Sequence, residues 1–275
     1  MFFATLFDQF ETYLHPDVVY DKYWGSMDEP SKTYEEFAKQ TEQDLIDTIN
    51  RVFKGSEAAS KGTAFNALID FYIHDRYNLH RNRIMGVKDH DSIQNFTFHP
   101  TVNCYEVETD GYDFMFPGEL VEHVAGWYNH QQIPQSQVLV DGVIDTCHGK
   151  VKLYGYIDEL TALDCHDIKT TGSYSMGQYK NHWQHMVYPY CLRAHGSDTL
   201  TFSYDVITWK KSYAKKEATP YIMCEPADYF REVYTFVPER DIPKLRRRCE
   251  EIIEFIQAHR SQITNDKIFN FRKDA

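Results

Sequence analysis

The stretch Tyr154-Gly-Tyr-Ile-Asp158-Glu-Leu-Thr-Ala-Leu-Asp-Cys-His-Asp167-Ile-Lys169-Thr170-Thr171 decides the fold. It reads as two short strands joined by a turn near Thr161-Ala162. Side chains alternate faces along a strand, so Asp167 and Lys169 project to one side and His166 to the other. A hairpin register brings Asp158 on the first strand beside Asp167 on the second. Two carboxylates converging next to an ammonium make a site for a hard cation such as magnesium, which takes oxygen ligands. Such an ion stabilises charge on a phosphodiester and lowers the pKa of an attacking water. Asp-x-Lys alone is a weak pattern that equally describes a screened surface ion pair. Asp167-Ile-Lys169 is, however, the sole acidic-x-Lys tripeptide in the chain.

Downstream, His182-Trp-Gln184-His-Met-Val-Tyr188 places Gln184 and Tyr188 four residues apart, on one face of a helix expected over 176–194. Lys180 extends that face by a turn, while Trp183 and Met186 read as core. Gly155-Tyr-Ile-Asp158, Asp167-Ile-Lys169-Thr170 and Gln184-x-x-x-Tyr188, in this order over about residues 153–190, resemble the PD-(D/E)XK nuclease superfamily and its RecB-like exonuclease branch. The resemblance implies a restriction-endonuclease-like core and a magnesium- or manganese-dependent nuclease acting on DNA. Asp158, Asp167 and the backbone carbonyl of Ile168 would hold the ion. Lys169 would orient the attacking water, and Gln184 and Tyr188 would shape the site and contact substrate. Members of that branch carry Gly-x-x-x-His, or Glu for His, on an early helix. The matching segment here is Gly62-Thr-Ala-Phe-Asn66, so Asn66 stands at the position of a metal ligand, with Asp70, Glu119 or Glu122 as further candidates.

Around this centre the chain reads as an α/β or α+β protein, a mixed central sheet flanked by helices. Helices are expected over 33–54, 60–76, 119–128 and 241–263, and strands over 137–145, 150–159, 163–170, 199–209 and 230–237. No linker or repeat interrupts it, so residues 1–275 read as one nuclease domain with residues 1–55 as a helical extension packed on it. The segment at Asp113-Phe-Met-Phe-Pro-Gly reads as an interruption before a helix.

Of 275 residues, 41 are acidic and 29 basic, a formal charge of −12 that argues against a generic nucleic-acid coat. A local basic groove remains compatible with it. Trp209-Lys210-Lys211-Ser-Tyr-Ala-Lys-Lys216 is such a candidate for phosphate contact and base stacking, or equally a hairpin loop kept soluble by lysine. Arg246–Arg248 read as a charge-paired helix face. The thirteen histidines show no paired zinc spacing. Six scattered cysteines without a CxxC point to reduced thiols, a cytoplasmic setting and no iron–sulfur cluster. No window is apolar enough for a membrane span, and no basic n-region marks a secretory signal. The reading is therefore an exonuclease of recombination, repair or phage replication, alone, as a homo-oligomer or with a recombination partner protein. Its rivals are a structure-specific endonuclease and a non-catalytic nucleic-acid-binding relative.

Overall fold

A computed structural model describes residues 1–76, 93–109, 111–128, 134–162, 164–210 and 221–269. The chain enters through a two-residue strand β1 (Phe2–Phe3) and the helices α1 (Ala4–Leu14), α2 (Pro16–Trp24), α3 (Tyr34–Ile49) and α4 (Glu57–Arg76). Thr33 starts α3 with a capping box: its hydroxyl accepts from Glu36 N at 3.2 Å, and the Glu36 carboxylate accepts from Thr33 N at 2.9 Å. A meander follows, β2 (Ile93–His99), β3 (Cys104–Thr109) and β4 (Tyr112–Pro117), and then α5 (Gly118–Gly126). The central stretch forms β5 (Gln135–Thr146), β6 (Gly149–Leu160) and β7 (Asp164–Thr171). After it come α6 (Gln184–Ala194), β8 (Thr201–Trp209), β9 (Ile222–Met223), β10 (Pro226–Thr235) and α7 (Pro238–Ala258).

The described residues thus form a mixed α/β structure with two sheets. The larger runs β1-β6-β7-β8-β10, with β5 on the other edge of β6; β7 and β8 are parallel, and β5–β6 and β8–β10 antiparallel. Its two faces are covered differently. Cys165, Phe202, Tyr204 and Val206 point into a cluster with α1, α3, α6 and α7, whereas Ile168, Ile207 and Trp209 point into one with α4, α5 and the β2-β3-β4-β9 sheet. The first 55 residues contribute Phe2, Leu6, Phe7, Phe10, Leu45 and Ile49 to the first cluster, with Phe7 stacked on Trp183 at 5.5 Å.

Three expectations need correction. Tyr112–Pro117 is strand β4 rather than an interruption, because Phe114 and Phe116 bury beneath α4 and α5 in a sheet of short strands. The helix expected over 176–194 begins only at Gln184. Residues 175–182 make successive i→i+3 turns, and Asp8 Oδ1 accepts from Trp183 N at 2.7 Å, so a carboxylate of α1 meets the start of α6. Lys180 consequently lies in a turn, exposed, and not on the Gln184–Tyr188 face. The last helix ends at Ala258 and is followed by a separate 3₁₀ turn, Arg260–Gln262.

Candidate active site

The site sits at a fork in the larger sheet. β6 and β7 pair only at Glu159↔His166 and Leu160↔Cys165, after which they diverge. The next pair in that register is Asp158 with Asp167, so the two carboxylates stand where the strands part. β1 takes up the same edge of β6 further along, at Leu153 and Tyr154. At the fork a side chain replaces the missing ladder bond: Ile168 N donates to Asp158 Oδ2 at 2.8 Å. Asn66 Nδ2 donates to the same oxygen at 3.1 Å, and Gln137 Nε2 approaches Oδ1 at 3.4 Å.

On the other face of β7, Lys169 Nζ lies 2.7 Å from Asp167 Oδ2, and Gln184 Nε2 donates to Asp167 Oδ1. The Tyr188 hydroxyl accepts from the same Gln184 nitrogen at 3.3 Å. Gly155 is what lets Tyr188 come so near β6, since any Cβ there would overlap the Tyr188 ring. The α4 helix runs close to β7 at Gly62, where a methyl would meet Thr170 Oγ1 at 3.1 Å. Gly62, Asn66 and Asp70 are spaced by four and share one helix face. A cavity of about 300 Å³ opens between them and the fork, lined by Asn66, Gln137, Asp158, Ile168, Lys169 and Thr170 among others.

Burial, reinforced by the Asp167 charge, raises the Asp158 carboxyl well above its usual range, and Lys169 and the Ile168 N–H only partly offset it. Burial alone would lower the Lys169 ammonium, but Asp167 and Asp158 outweigh it and hold the pKa above its ordinary value. Behind the fork a second pair of acids adjoins the first. Glu159 is fully buried and accepts from Ser136 Oγ at 2.9 Å; burial and the neighbouring Asp70 charge raise its pKa well above the usual range.

The sequence-derived residues therefore form two neighbouring networks, Asp158 with Asn66 and the Ile168 N–H, and Asp167 with Lys169, Gln184 and Tyr188; of these Asn66, Asp158, Ile168 and Lys169 line the cavity. Lys180 and Lys210 do not line this cavity. Lys210 pairs with Glu225 at 3.1 Å and lines a separate cleft with Glu119, His123 and Tyr229. Glu119 is thus placed away from Asp158, and Glu122 is exposed on α5. Lys211 and the rest of its lysine run lie outside the described residues. Arg247 pairs with Glu251 at 3.0 Å as expected for a charged helix face, but Arg246 donates to the Asp145 carbonyl at 2.9 Å instead of meeting Glu250. Gln137 escaped sequence reasoning. The tight turn that pairs Thr146 with Gly149 was the signal, because counting back along that hairpin sets 137 opposite 158.

Do these groups fit a divalent cation? Among the described residues no group of three or more His, Cys, Asp or Glu side chains gathers for one. Asp158 and Asp167 flank the fork, near enough for the Asp167 charge to act on Asp158, and the Asn66 Oδ1 beside Asp158 is buried without a hydrogen-bond partner. A buried amide oxygen left unpaired is costly, and a hard cation is one partner it can take. The donor set, two carboxylates with amide and backbone oxygens, suits magnesium or manganese and offers nothing soft for zinc or iron. Among the described residues no helix is long and apolar enough to cross a membrane. No protein-family model matches the chain, and the curated proteins contain no match either.

Proposed function

We propose that the protein is a metal-dependent DNA nuclease, an exonuclease first of all, built on a restriction-endonuclease-like core. The observation that carries this reading is that Asp158 and Lys169 line one cavity at a sheet fork, with Asp167 paired to Lys169 and Asn66 contributing an unpaired oxygen. Asp158, Asp167, the Ile168 carbonyl and Asn66 Oδ1 would hold the ion. When bound, magnesium or manganese supplies positive charge against the phosphate and acidifies a water. The chain's own residues do the rest. The Ile168 N–H and the amides of Asn66 and Gln137 hold Asp158 in place. Gln184, itself braced by Tyr188, orients Asp167. Lys169, kept charged by both carboxylates and part of the cavity lining, would orient an attacking water and offset charge gathering on the scissile phosphate.

A second reading, a nucleic-acid-binding relative without turnover, draws support from Asn66, which brings an amide where a stronger ligand would add charge. One experiment separates these. Matched linear and closed-circular DNA are incubated with the protein in magnesium, manganese or EDTA, beside Lys169→Ala. Metal-dependent loss of the linear form alone, reduced at least 100-fold in the variant, is the expected result. Cutting of the circle would make it an endonuclease. Binding by a folded wild type with no turnover in either metal would sink the catalytic reading.

A further inference from the structure

Gln137 has a backbone that nothing in an ordinary strand calls for. Three described non-glycine residues have positive φ, and two of them, Arg51 (60°) and Asn103 (49°), sit in turns. Gln137, at 52°, lies inside β5. A side chain in the left-handed region clashes with its own backbone, so the conformation persists only where the surroundings impose it. The β5–β6 ladder passes from Ser136↔Glu159 to Val138↔Ile157 and skips Gln137 and Asp158. At this point the strand also changes face: Val138 and Ile157 pack with the α6 cluster, whereas Glu159 reaches Asp70 of α4.

We propose that Gln137 is a positioning residue of the cation site, held in a strained backbone so that its amide, together with that of Asn66, clamps the Asp158 carboxylate. The inference rests on the nuclease reading and adds a residue to it. Gln137 is only 4% exposed, lines the cavity and directs Nε2 towards Asp158 Oδ1, while Asn66 and Ile168 N hold Oδ2. Asp158 is thereby gripped at both oxygens by neutral donors. Neutral donors matter here because the fork already contains Asp158 and Asp167, with Asp70 and Glu159 behind them. A third carboxylate would add repulsion, whereas an amide orients the ligand without adding charge. Amides can also turn over, and the Asn66 oxygen without a partner is the atom that such a site leaves for the ion.

The test is calorimetric titration of the full chain with Mn²⁺ alone, in wild type, Gln137→Leu and Gln137→Gly, alongside melting temperatures in EDTA. Removing a residue that orients a metal ligand weakens binding by about 10- to 100-fold, and at least tenfold weakening is expected in both variants. Gln137→Gly, which also relaxes the backbone, is expected to melt in EDTA no lower than wild type; weaker Mn²⁺ binding with undiminished stability is a split that a merely structural glutamine would not produce. The glycine variant keeps the test decisive if leucine disturbs the strand. Wild-type Mn²⁺ affinity in Gln137→Gly, or a melting temperature that falls while affinity holds, overturns the inference and leaves the nuclease reading standing. Absence of Mn²⁺ binding by wild type overturns the cation reading and this inference with it.

Discussion

Asp158 shows what the site costs the fold. Its carboxylate is pressed between a low-dielectric wall and the Asp167 charge, and its pKa is raised well above the usual carboxylate range. A carboxyl raised in the folded state lowers stability fully above its folded pKa; the cost declines as pH falls below that value and is gone below the unfolded pKa. Asp158→Asn is therefore expected to lose cation binding and yet melt about 2–4 °C higher in EDTA at pH 8, equivalent to relief of about 1 kcal/mol. The gain should shrink as the pH is lowered; a variant that melts below wild type at pH 8 would refute this account. Asp158, Asp167 and Lys169 were legible in the sequence because strand alternation and hairpin register are local geometry. The position of Gln137 opposite Asp158 was legible in the hairpin register, but its left-handed backbone was not, because such a residue inside a strand has no compositional mark when it is not glycine.

Helix α6 carries Gln184 to Asp167, and its placement depends on contacts at its start and along its face. Asp8 fastens its start through Trp183 N, and Gly155 admits the Tyr188 ring against β6. Gly155→Ala forces that ring to move, an overpacking worth about 1–3 kcal/mol in urea unfolding, and should reduce turnover as Gln184 loses its brace. Full activity with unchanged stability would contradict the packing argument. On the same helix, burial pushes His185 down to about 4, where it stacks on Tyr234 at 4.4 Å. The unfolded imidazole takes up its proton near the ordinary 6.5. Both states are neutral above that pH, so His185 has no effect there. Between about 6.5 and 4 the unfolded chain binds a proton that the folded one refuses, and stability falls by up to roughly 3 kcal/mol. The drop in urea midpoint between pH 7.5 and 5 should thus be smaller in His185→Phe than in wild type; equal drops would exclude His185 as the cause. Periodicity revealed that a helix carries Gln184 and Tyr188, but not where it begins, because the carboxylate at its start comes from Asp8, far away in the sequence.

Across the whole molecule, the layers behind the site are joined by one buried polar cluster. Asp205 on β8 is 1% exposed; it accepts from Tyr128 OH after α5 at 2.9 Å, lies 2.9 Å from His166 Nδ1 on β7 and pairs with Arg231 on β10. Removing one partner of a buried pair leaves an uncompensated charge, at about 3–5 kcal/mol for full burial. The Arg231 side chain is 42% exposed, so water screens part of that. Arg231→Ala is expected to cost about 2–3 kcal/mol in urea unfolding. A change under about 0.5 kcal/mol, the level of an ordinary surface substitution, would show that Tyr128 and His166 satisfy Asp205 without it.

The sequence by itself determined the elements whose signals are local. These are the alternating strands around Asp158 and Asp167, the helix from Thr33, the long C-terminal amphipathic helix and the mixed α/β class. The sequence's hairpin register also set Asp158 opposite Asp167, although the ladder stops one pair short of them. Only the tertiary structure decided that the β6–β7 pair splits into a fork, that Asn66 and Gln137 close on Asp158 from α4 and β5, and that Lys180 and Lys210 stand apart from them. It also decided that Tyr112–Pro117 joins a second sheet. The physical reason is range: periodicity and turn chemistry act over a few residues, whereas the fork is surrounded by residues from Gly62 to Tyr188 whose meeting depends on how whole layers pack.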